Sequence, residues 1–301
     1  MGKFKLIAGL GNKDKNRVKD LVLLWLKAGA EGFDISASSL QFVQTAIKNN
    51  GYRLDDYEFS TSIFLKGDIH GKKAKILLDK CNFCRECEKK CTEHAIKTPY
   101  IDELRCIGCY ECLEACKFSA IDFYNDTTED FFDLLKTDVK LDIVTIYISI
   151  EDKTKIVPEF SEILDKITNK KPKIQVALSR KYFSNKDIEE ILIKLKEITS
   201  KKGFQLVVQA DGNSLVDKNE GISGAIEAVA CALLIKKSGF DEITISGGCN
   251  EHSAKLVKSA NLNCSVAYGS YARNLIDGLE YDEALRMAEF FASKSKEFLN
   301  D

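Results

Sequence analysis

Proline, tryptophan, methionine and histidine are scarce in this 301-residue chain, which has three, one, two and three of them. Few prolines leave most of the chain free to form regular helices and strands. No apolar run approaches the roughly 20 residues that cross a bilayer, and the N-terminal run is too short for a signal peptide. The sequence therefore predicts a cytoplasmic protein with no membrane-spanning segment.

A concentrated block of basic residues is also missing. The 44 Lys and Arg residues are balanced by 46 Asp and Glu residues, and the formal net charge is −2. Proteins that bind nucleic acids typically carry a basic patch or stripe. We therefore expect no nucleic-acid partner, and the 45% hydrophobic content is that of an ordinary globular protein.

Cysteine, by contrast, is abundant, and eight of the eleven cysteines form two matching runs. The runs are Cys81-x2-Cys84-x2-Cys87-x3-Cys91 and Cys106-x2-Cys109-x2-Cys112-x3-Cys116. Each run is followed after three residues by an Ala-Ile pair, which indicates an internal duplication. In a reducing compartment such cysteines are more often metal ligands than disulfides.

The spacing predicts two [4Fe–4S] clusters. Three closely spaced cysteines wrap one side of a cluster, and the fourth ligand comes from the other half of the duplication. We assign the ligands as follows: Cys81, Cys84, Cys87 and Cys116 for cluster 1, and Cys106, Cys109, Cys112 and Cys91 for cluster 2. The alternative is a zinc site, since two CxxC pairs can bind zinc.

The cysteine segment, about fifty residues, resembles the bacterial two-cluster ferredoxins. That family usually has proline after each fourth cysteine, where this chain has Thr92 and Lys117. The difference bears on reduction potential and rigidity rather than on ligation. Because every iron would be fully ligated, electron transfer is favoured over Lewis-acid catalysis.

Outside this segment, short apolar strands alternate with amphipathic helices, which predicts a parallel sheet. Eight βα units favour a (β/α)8 barrel, with an open doubly wound sheet as the alternative. The barrel is expected at residues 1–74 and 125–301, and the two-cluster module at 75–124. The predicted strands are 5–8, 32–36, 61–65, 143–148, 174–178, 204–208, 243–245 and 264–267.

Glycines follow the last two predicted strands, where barrels commonly bind phosphate. Backbone N–H groups approach an anion closely at glycine, and a helix N-terminus adds a favourable dipole. Gly247, Gly248, Gly269 and Ser270 are therefore predicted to bind a phosphorylated molecule such as FMN or a sugar phosphate. The alternative is that these glycines only form tight βα turns.

Other polar residues carry weaker predictions. Asp34 ends the second strand, and Gln209 and Asp211 follow the sixth, so all three are candidates for the barrel mouth or for ordering loops. His252 fits a surface position, and His70 and His94 have no identifiable partner in the sequence. Cys231, Cys249 and Cys264 are expected to be buried thiols, although Cys249 follows the glycine pair and is a candidate reactive residue.

Three parts of the chain together resemble the light-dependent period proteins of cyanobacteria. They are the front segment IAGLGNKDKNRVKDLVLLWLKAGAEGFDISAS, the inserted module, and the tail motifs VVQADG, GISGA, ITISGGCNEHS and VAYGSYAR. The resemblance implies an iron–sulfur redox sensor that passes redox state to clock or other signalling proteins. It carries over only the eight cluster cysteines and no catalytic residue.

Three functions therefore remain open. The first is a redox sensor with a redox or signalling protein as partner. The second is an oxidoreductase that exchanges electrons between the clusters and an FMN in the barrel. The third is an electron carrier for which the barrel is a docking scaffold. A nicotinamide fingerprint is absent, because the turn GLGNKD is too short a match.

Overall fold

The computed structural model describes residues 2–9, 13–66, 68, 71–125, 129–150, 152–212 and 222–300. The chain begins with β1 (Phe4–Ile7), α1 (Lys15–Lys27), β2 (Gly32–Asp34), α2 (Ala37–Asn49) and β3 (Glu58–Phe64). The cysteine-rich segment follows, with β4 (Lys72–Ile76), α3 (Glu86–Lys90), β5 (Ile96–Lys97), β6 (Tyr100–Ile101), α4 (Glu111–Ala115) and β7 (Ile121–Asn125). The remainder comprises α5 (Glu129–Leu134), β8 (Ile143–Tyr147), α6 (Ile156–Lys166), β9 (Lys173–Ser179), α7 (Asn185–Lys201), β10 (Leu206–Asp211), α8 (Ser223–Lys237), β11 (Ile243–Ser246), α9 (Ser253–Ser259), β12 (Ser265–Tyr268), α10 (Ser270–Ile276) and α11 (Tyr281–Asn300).

Eight parallel strands close into a barrel in the order β1-β12-β11-β10-β9-β8-β3-β2. The closing pairs are β1 with β12, where Phe4 lies beside Val266, and β3 with β8, where Ser60 lies beside Ile143. The predicted (β/α)8 barrel is thereby confirmed over the open sheet. Within the described part of the chain, no helix is long and apolar enough to cross a membrane.

Strand residues alternate between the helical coat and the barrel interior. In β9, Ile174, Val176 and Leu178 pack in the main hydrophobic core between strands and helices, whereas Gln175 points to the other side. Two helices begin at a side-chain cap. Asp14 accepts a hydrogen bond from the Arg17 N–H at the start of α1, and Ser184 and Asp187 form a reciprocal capping box that starts α7.

The C-terminal helix is fixed to the first and last strands by an aromatic cluster. Phe4 of β1 stacks against Tyr268 of β12, with ring centroids 4.8 Å apart, and Tyr268 meets Phe291 of α11 edge to face at 4.9 Å. Trp25 of α1 completes the cluster and is fully buried. This end of the chain therefore closes the helical coat over the β1–β12 seam.

The cysteine-rich insert is bounded by an antiparallel pair, β4 and β7, in which Ala74 lies beside Phe123. The pair spans residues 72–76 and 121–125, within three residues of the predicted limits 75 and 124. Its own small core contains Ala74, Ile96 and Ile121 together with several of the cysteines. The insert leaves the barrel after β3, at the end of the barrel where the carboxyl ends of the strands lie.

Two predicted strand boundaries were wrong. The third strand begins at Glu58 rather than at residue 61, because the polar side chain of Glu58 is held by ion pairs with Lys3 and Lys5. The sixth strand covers 206–211 rather than 204–208, so Gln209 and Asp211 lie within it. The prediction followed apolar runs and therefore stopped at polar residues that continue the strand.

Candidate iron–sulfur centres

The two cysteine loops share an unusual backbone. Left-handed conformations occur at three pairs of positions that are each 25 residues apart, Phe83 and Gly108, Arg85 and Tyr110, and His94 and Ser119. A positive φ is costly for a residue with a side chain, so it persists only where the surrounding structure requires it. Its repetition shows that both halves of the duplication wrap the chain around the cysteines in the same way.

Each loop pair surrounds a cavity, and the first cavity has a volume of about 20 Å³. Four cysteines line it: Cys81, Cys84, Cys87 and Cys116. Apolar atoms of Ile76, Ile121 and Phe118 complete the wall. These four cysteines are the set predicted to share cluster 1, and they come from both halves of the duplication.

The second cavity also has a volume of about 20 Å³ and has the same construction. Its cysteines are Cys91, Cys106, Cys109 and Cys112, the set predicted for cluster 2. Ala74, Glu93, Tyr110 and Phe123 are among the other residues of its wall. Each cavity is therefore surrounded by three cysteines of one run and the fourth cysteine of the other run, which is the ligand arrangement of two-cluster ferredoxins.

Single-ion binding has a different geometry. Zinc draws four donors to about 2.3 Å from one point. Among the described residues, no group of three or more His, Cys, Asp or Glu side chains converges in a way that could hold one metal ion. The assignment of four cysteines to each of two clusters stays a prediction.

Backbone N–H groups point at several of the cysteine sulfurs. The N–H of Ala95 donates to Cys91 Sγ at 3.3 Å, and the N–H of Ala120 donates to Cys116 Sγ at the same distance. A third such bond joins the N–H of Phe83 to Cys81 Sγ at 3.4 Å. Hydrogen bonds to sulfur favour the thiolate and tune the potential of an iron–sulfur cluster.

In the absence of a bound cation, burial favours the neutral thiol form of several of these cysteines over the charged thiolate. Burial raises the pKa of the thiols of Cys87, Cys91 and Cys112 above the ordinary value. Metal binding requires deprotonated cysteines, and the positive charge of bound iron would favour the thiolate at these three positions.

The insert is attached to the barrel by a buried carboxylate. Glu93 lies two residues after Cys91, is 3% exposed, and accepts a hydrogen bond at Oε1 from Arg273 Nε of α10 at 3.0 Å, with Arg273 Nη2 in ion-pair contact with the same oxygen at 3.0 Å. Arg17 of α1 donates to the Glu93 carbonyl at 2.6 Å and lies 3.5 Å from its carboxylate. Arg273 also donates to the carbonyl of Ile7 at the end of β1. We call Glu93, Arg17 and Arg273 the Glu93 clamp.

Further bonds join the same two parts of the molecule. The N–H of Lys13 donates to the carbonyl of Leu104 at 2.6 Å, and Arg105 contacts Asp14 at 3.3 Å. His94, for which the sequence indicated no partner, lies 3.1 Å from Asp277. The loop that lines the second cavity is thus fixed to both α1 and the α10 region.

The barrel interior contains a chain of polar side chains. Gln175 donates to Thr145 Oγ1 at 3.0 Å and to Gln209 Oε1 at 2.8 Å, and Gln209 donates to Tyr147 Oη at 3.0 Å. Barrels are usually filled by branched apolar residues. Sequence reasoning missed Tyr147 and Gln175. Their signal was a polar residue at every second position of parallel strands, which are normally apolar throughout.

Asp34 forms a second polar group at the same end of the barrel. It accepts hydrogen bonds from Ser60 at 3.0 Å and Ser62 at 2.9 Å. Burial raises the pKa of Asp34, and these hydroxyls and Lys5 oppose the rise. Burial, with the charges of Asp34 and Asp211 nearby, also raises the pKa of Tyr147 well above its ordinary value. Such perturbed groups are typical of functional sites.

The predicted phosphate-binding residues lie at the ends of β11 and β12. Gly247 and Gly248 have positive φ, and a Cβ on Gly248 would lie 2.7 Å from Gly224 Cα. Gly248 is thus required by close backbone packing, whatever binds nearby. Gly269 accepts a bond from the Arg273 N–H at 3.2 Å, and Ser270 begins the seven-residue α10. Phosphate or FMN binding at these four residues stays a prediction.

A larger cavity, which the sequence did not indicate, opens near the ends of β1, β2 and β3. It has a volume of about 220 Å³, and its wall includes Ser38, Phe64, Lys66, Phe131 and Glu159. The helix after β3, α5, has only six residues, and this cavity lies beside it. The described residues of its wall do not include the four predicted phosphate-binding residues.

The remaining candidates divide into buried and exposed residues. Cys231, Cys249 and Cys264 are buried as expected, and burial raises the pKa of Cys231 and of Cys264 to about 12. Burial thus favours the protonated form of these thiols, and thiols are less reactive than thiolates. His252 is half-exposed beside Glu251. His70 lies outside the described residues.

Comparison with known sequences decides the family. The profile of the light dependent period A C-terminal domain matches residues 137–299, more than half of the chain. The chain belongs to the light-dependent period family. A 4Fe-4S binding domain profile matches residues 99–122, the segment that contains Cys106, Cys109, Cys112 and Cys116. The predicted family and an iron–sulfur module are thus confirmed.

Individual relatives are more distant. An uncharacterized protein of Methanocaldococcus jannaschii is 42% identical over 62 residues, which cover 21% of this chain and 24% of that protein. The match therefore spans about a quarter of the relative's length.

Three solved structures align with nearly the whole chain. They are the BexX/CysO complex of Amycolatopsis orientalis (12% identity, 99% of this chain and 90% of that chain, TM-score 0.45), a mandelate oxidase variant with benzaldehyde (8%, 98% and 73%, 0.47) and a protein of Corynebacterium glutamicum (9%, 97% and 85%, 0.44).

Proposed function

We propose that this protein is a redox sensor that holds one [4Fe–4S] cluster in each cavity. Cys81, Cys84, Cys87 and Cys116 would ligate the first, and Cys106, Cys109, Cys112 and Cys91 the second. The observation that supports this proposal is the pair of cavities, each lined by four cysteines drawn from both halves of a duplicated loop. When bound, each cluster stores or releases one electron.

The chain's own residues would hold that charge in place. The sulfurs of Cys91 and Cys116 accept backbone N–H bonds, which stabilise negative charge at the two sites. Arg17 and Arg273 place two permanent positive charges beside the Cys91 loop through Glu93. A gain or loss of one electron near these charges changes the energy of the Glu93 clamp.

The Glu93 clamp supplies a route from the second cavity to the barrel. Arg273 lies on α10 and also bonds the Ile7 carbonyl at the carboxyl end of β1. A shift of the Cys91 loop therefore acts on two elements at the mouth of the barrel, where a partner protein would detect it. This mechanism needs no catalytic residue in the barrel.

Hydrogen exchange tests the sensor. We expect amides of α10 and of the segment after Cys91 to exchange at different rates in the oxidised and in the dithionite-reduced protein. In Glu93→Gln this difference should shrink, while the iron content stays that of the unmodified protein. Equal exchange in both redox states, at full iron content, would count against sensing through the clamp.

An oxidoreductase is the second candidate, and the polar barrel interior favours it. Asp34, Tyr147 and Gln209 lie at the same end of the barrel as the insert, and such groups can position a substrate and exchange protons with it. FMN held near Gly247, Gly248, Gly269 and Ser270 would be the matching cofactor. Structured flavin absorbance in protein purified without oxygen would favour this function over the sensor.

We also propose a reducing, cytoplasmic setting and a protein partner. All eleven cysteines are free thiols in the structure, although eight of them lie in two close groups. In an oxidising compartment such groups would form disulfides. The partner is a redox or signalling protein, and a phosphorylated small molecule remains part of the oxidoreductase alternative.

A further inference from the structure

The two cavities are equivalent by duplication but have different surroundings. Residues that are 25 positions apart correspond: Asn82 with Ile107, Phe83 with Gly108, Arg85 with Tyr110, and Glu93 with Phe118. Because each cavity combines one loop with the fourth cysteine of the other, the residues beside the second cavity are Ile107, Gly108, Tyr110 and Glu93. Their counterparts beside the first cavity are Asn82, Phe83, Arg85 and Phe118.

The residues beside the second cavity are covered. Ile107 is 5% exposed, Gly108 is buried, and Glu93 is held by two arginines of the barrel. Tyr110 stacks on Phe123 at 4.1 Å between ring centroids and is half-buried. The barrel therefore covers one of the two equivalent faces of the module, the face beside the second cavity.

The counterparts beside the first cavity are exposed. Phe83 is 55% and Phe118 46% exposed, and Asn82, Cys84 and Arg85 are exposed as well. Two large aromatic side chains next to an exposed cysteine are costly to leave in water unless something covers them. Of the fourteen exposed large hydrophobic residues among those described, six lie in the fifty-residue insert, which makes this module the natural contact surface.

Basic residues outnumber acidic ones on this part of the insert. Residues 79–90 together with Lys117 contain five Lys or Arg and three Asp or Glu, and Glu86 pairs with Lys89 at 2.7 Å. The chain as a whole is slightly acidic, with a net charge of −2. The basic character is thus local to the first cavity, and it complements an acidic surface.

We propose that the surface formed by Asn82, Phe83, Arg85, Lys117 and Phe118 docks an acidic protein that carries one electron. We call this surface the cavity-1 face. The inference rests on the proposed two-cluster function and names its external partner by chemistry. One electron passes from the reduced carrier to the centre held by Cys81, Cys84, Cys87 and Cys116. The carrier is oxidised by one electron, the centre is reduced by one, and no bond or proton moves.

The two faces that the duplication relates would have different roles in electron transfer. The cavity-1 face receives the electron at the solvent side, and the equivalent face of the second cavity is joined to the barrel through the Glu93 clamp. The same duplicated surface thus serves an external partner at one cluster and the protein's own barrel at the other. The two contacts differ because the first face is exposed, whereas the second is already covered by the barrel through Arg17 and Arg273.

Stopped-flow reduction tests the proposal. The holoprotein is mixed without oxygen with flavodoxin hydroquinone, an acidic one-electron donor, and the loss of cluster absorbance is followed. We expect the second-order rate constant to fall about tenfold or more between low and high salt, as for electrostatically steered association. The double variant Arg85→Glu/Lys117→Glu should be about tenfold slower than the unmodified protein at low salt and similar to it at high salt.

Two controls make the outcome decisive. The variant Lys194→Glu/Lys237→Glu reverses the charge of two exposed lysines on α7 and α8, far along the chain from the insert, and should react within twofold of the unmodified protein. Electron transfer from the reduced protein to oxidised cytochrome c, a basic acceptor, should be faster in the charge-reversed variant. Iron is measured in every sample, so a loss of cluster is not mistaken for a loss of docking.

Three results would overturn the proposal. Rates that do not depend on salt, or that are equal in the two double variants at full iron content, would remove the docking face and leave the two-cluster function intact. A dimer that the charge reversal dissolves would assign the face to a second copy of this chain instead. Absence of iron from the reconstituted unmodified protein would remove the proposed function and this inference with it.

Discussion

Replacing Glu93 by glutamine tests whether the insert is held to the barrel by the clamp. The substitution keeps the size of the side chain and removes the negative charge between Arg17 and Arg273. Removing one partner of a buried ion pair costs about 3–5 kcal/mol, because the remaining charge is left uncompensated. We expect the lower end, about 3 kcal/mol, because Arg17 keeps its bond to the Glu93 carbonyl.

The loss should appear as local opening of the insert. Amides after Cys91, such as that of Ala95, are protected by bonds that depend on the position of this loop. A decrease of about 3 kcal/mol in their opening free energy corresponds to roughly 100-fold faster hydrogen exchange. Mass spectrometry of the peptide covering residues 91–97 measures it.

The matched control is Glu114→Gln, which removes an exposed carboxylate of α4 in the same insert. Its exchange should stay within about threefold of the unmodified protein, as for most surface substitutions. If Glu93→Gln behaves like this control, the clamp does not hold the insert and the route from the second cavity to the barrel is wrong.

Three further predictions follow from the same structure. Cys84→Ser should lower bound iron and the visible absorbance by roughly half, whereas Cys231→Ser, in the barrel core, should leave both unchanged. Gly248→Ala should destabilise the barrel by more than about 2 kcal/mol, because its φ is +79° and its Cβ would meet Gly224, whereas Gly51→Ala, with φ +82° and open space, should cost about 1 kcal/mol in urea unfolding. Since burial raises the pKa of Asp34 above 3.8, its contribution to stability is present below that pH and is lost as the pH rises through the folded-state pKa. Asp34→Asn should abolish this decline in unfolding experiments between pH 4 and 7, and an unchanged pH profile would contradict the assignment.

The grouping of the eight cysteines into two sets was predictable because their spacing is local in sequence. Spacing within each run and the 25-residue duplication contain the information, and the structure places the same cysteines around each cavity. The barrel was predictable because each βα unit has its own apolar period. Six of the eight predicted strands lie within two residues of the expected bounds for that reason.

The Glu93 clamp was not predictable from the sequence. Glu93 and Arg273 are 180 residues apart, and neither position is distinguished by a local pattern. A glutamate between two cysteine motifs is normally a solvated residue, and only the docking of the insert makes it buried. Long-range ion pairs of this kind depend on tertiary packing, which periodicity does not encode.

The polar interior lies between these cases. Gln175 and Gln209 occupy alternate positions in strands that are otherwise apolar, so the sequence contained a signal. The signal was missed because polar residues were interpreted as the ends of strands. The role of Gly248 was also ambiguous, because a glycine required by backbone packing and a glycine that approaches an anion have the same sequence pattern.

The most direct test of two clusters is the iron and acid-labile sulfide content of protein purified without oxygen, together with the EPR spectrum after dithionite reduction. We predict about eight iron and eight sulfide per chain and an EPR spectrum of two neighbouring reduced [4Fe–4S] clusters that interact. A content that stays near four iron after reconstitution, with the spectrum of one isolated cluster, or stoichiometric zinc in place of iron, would contradict it.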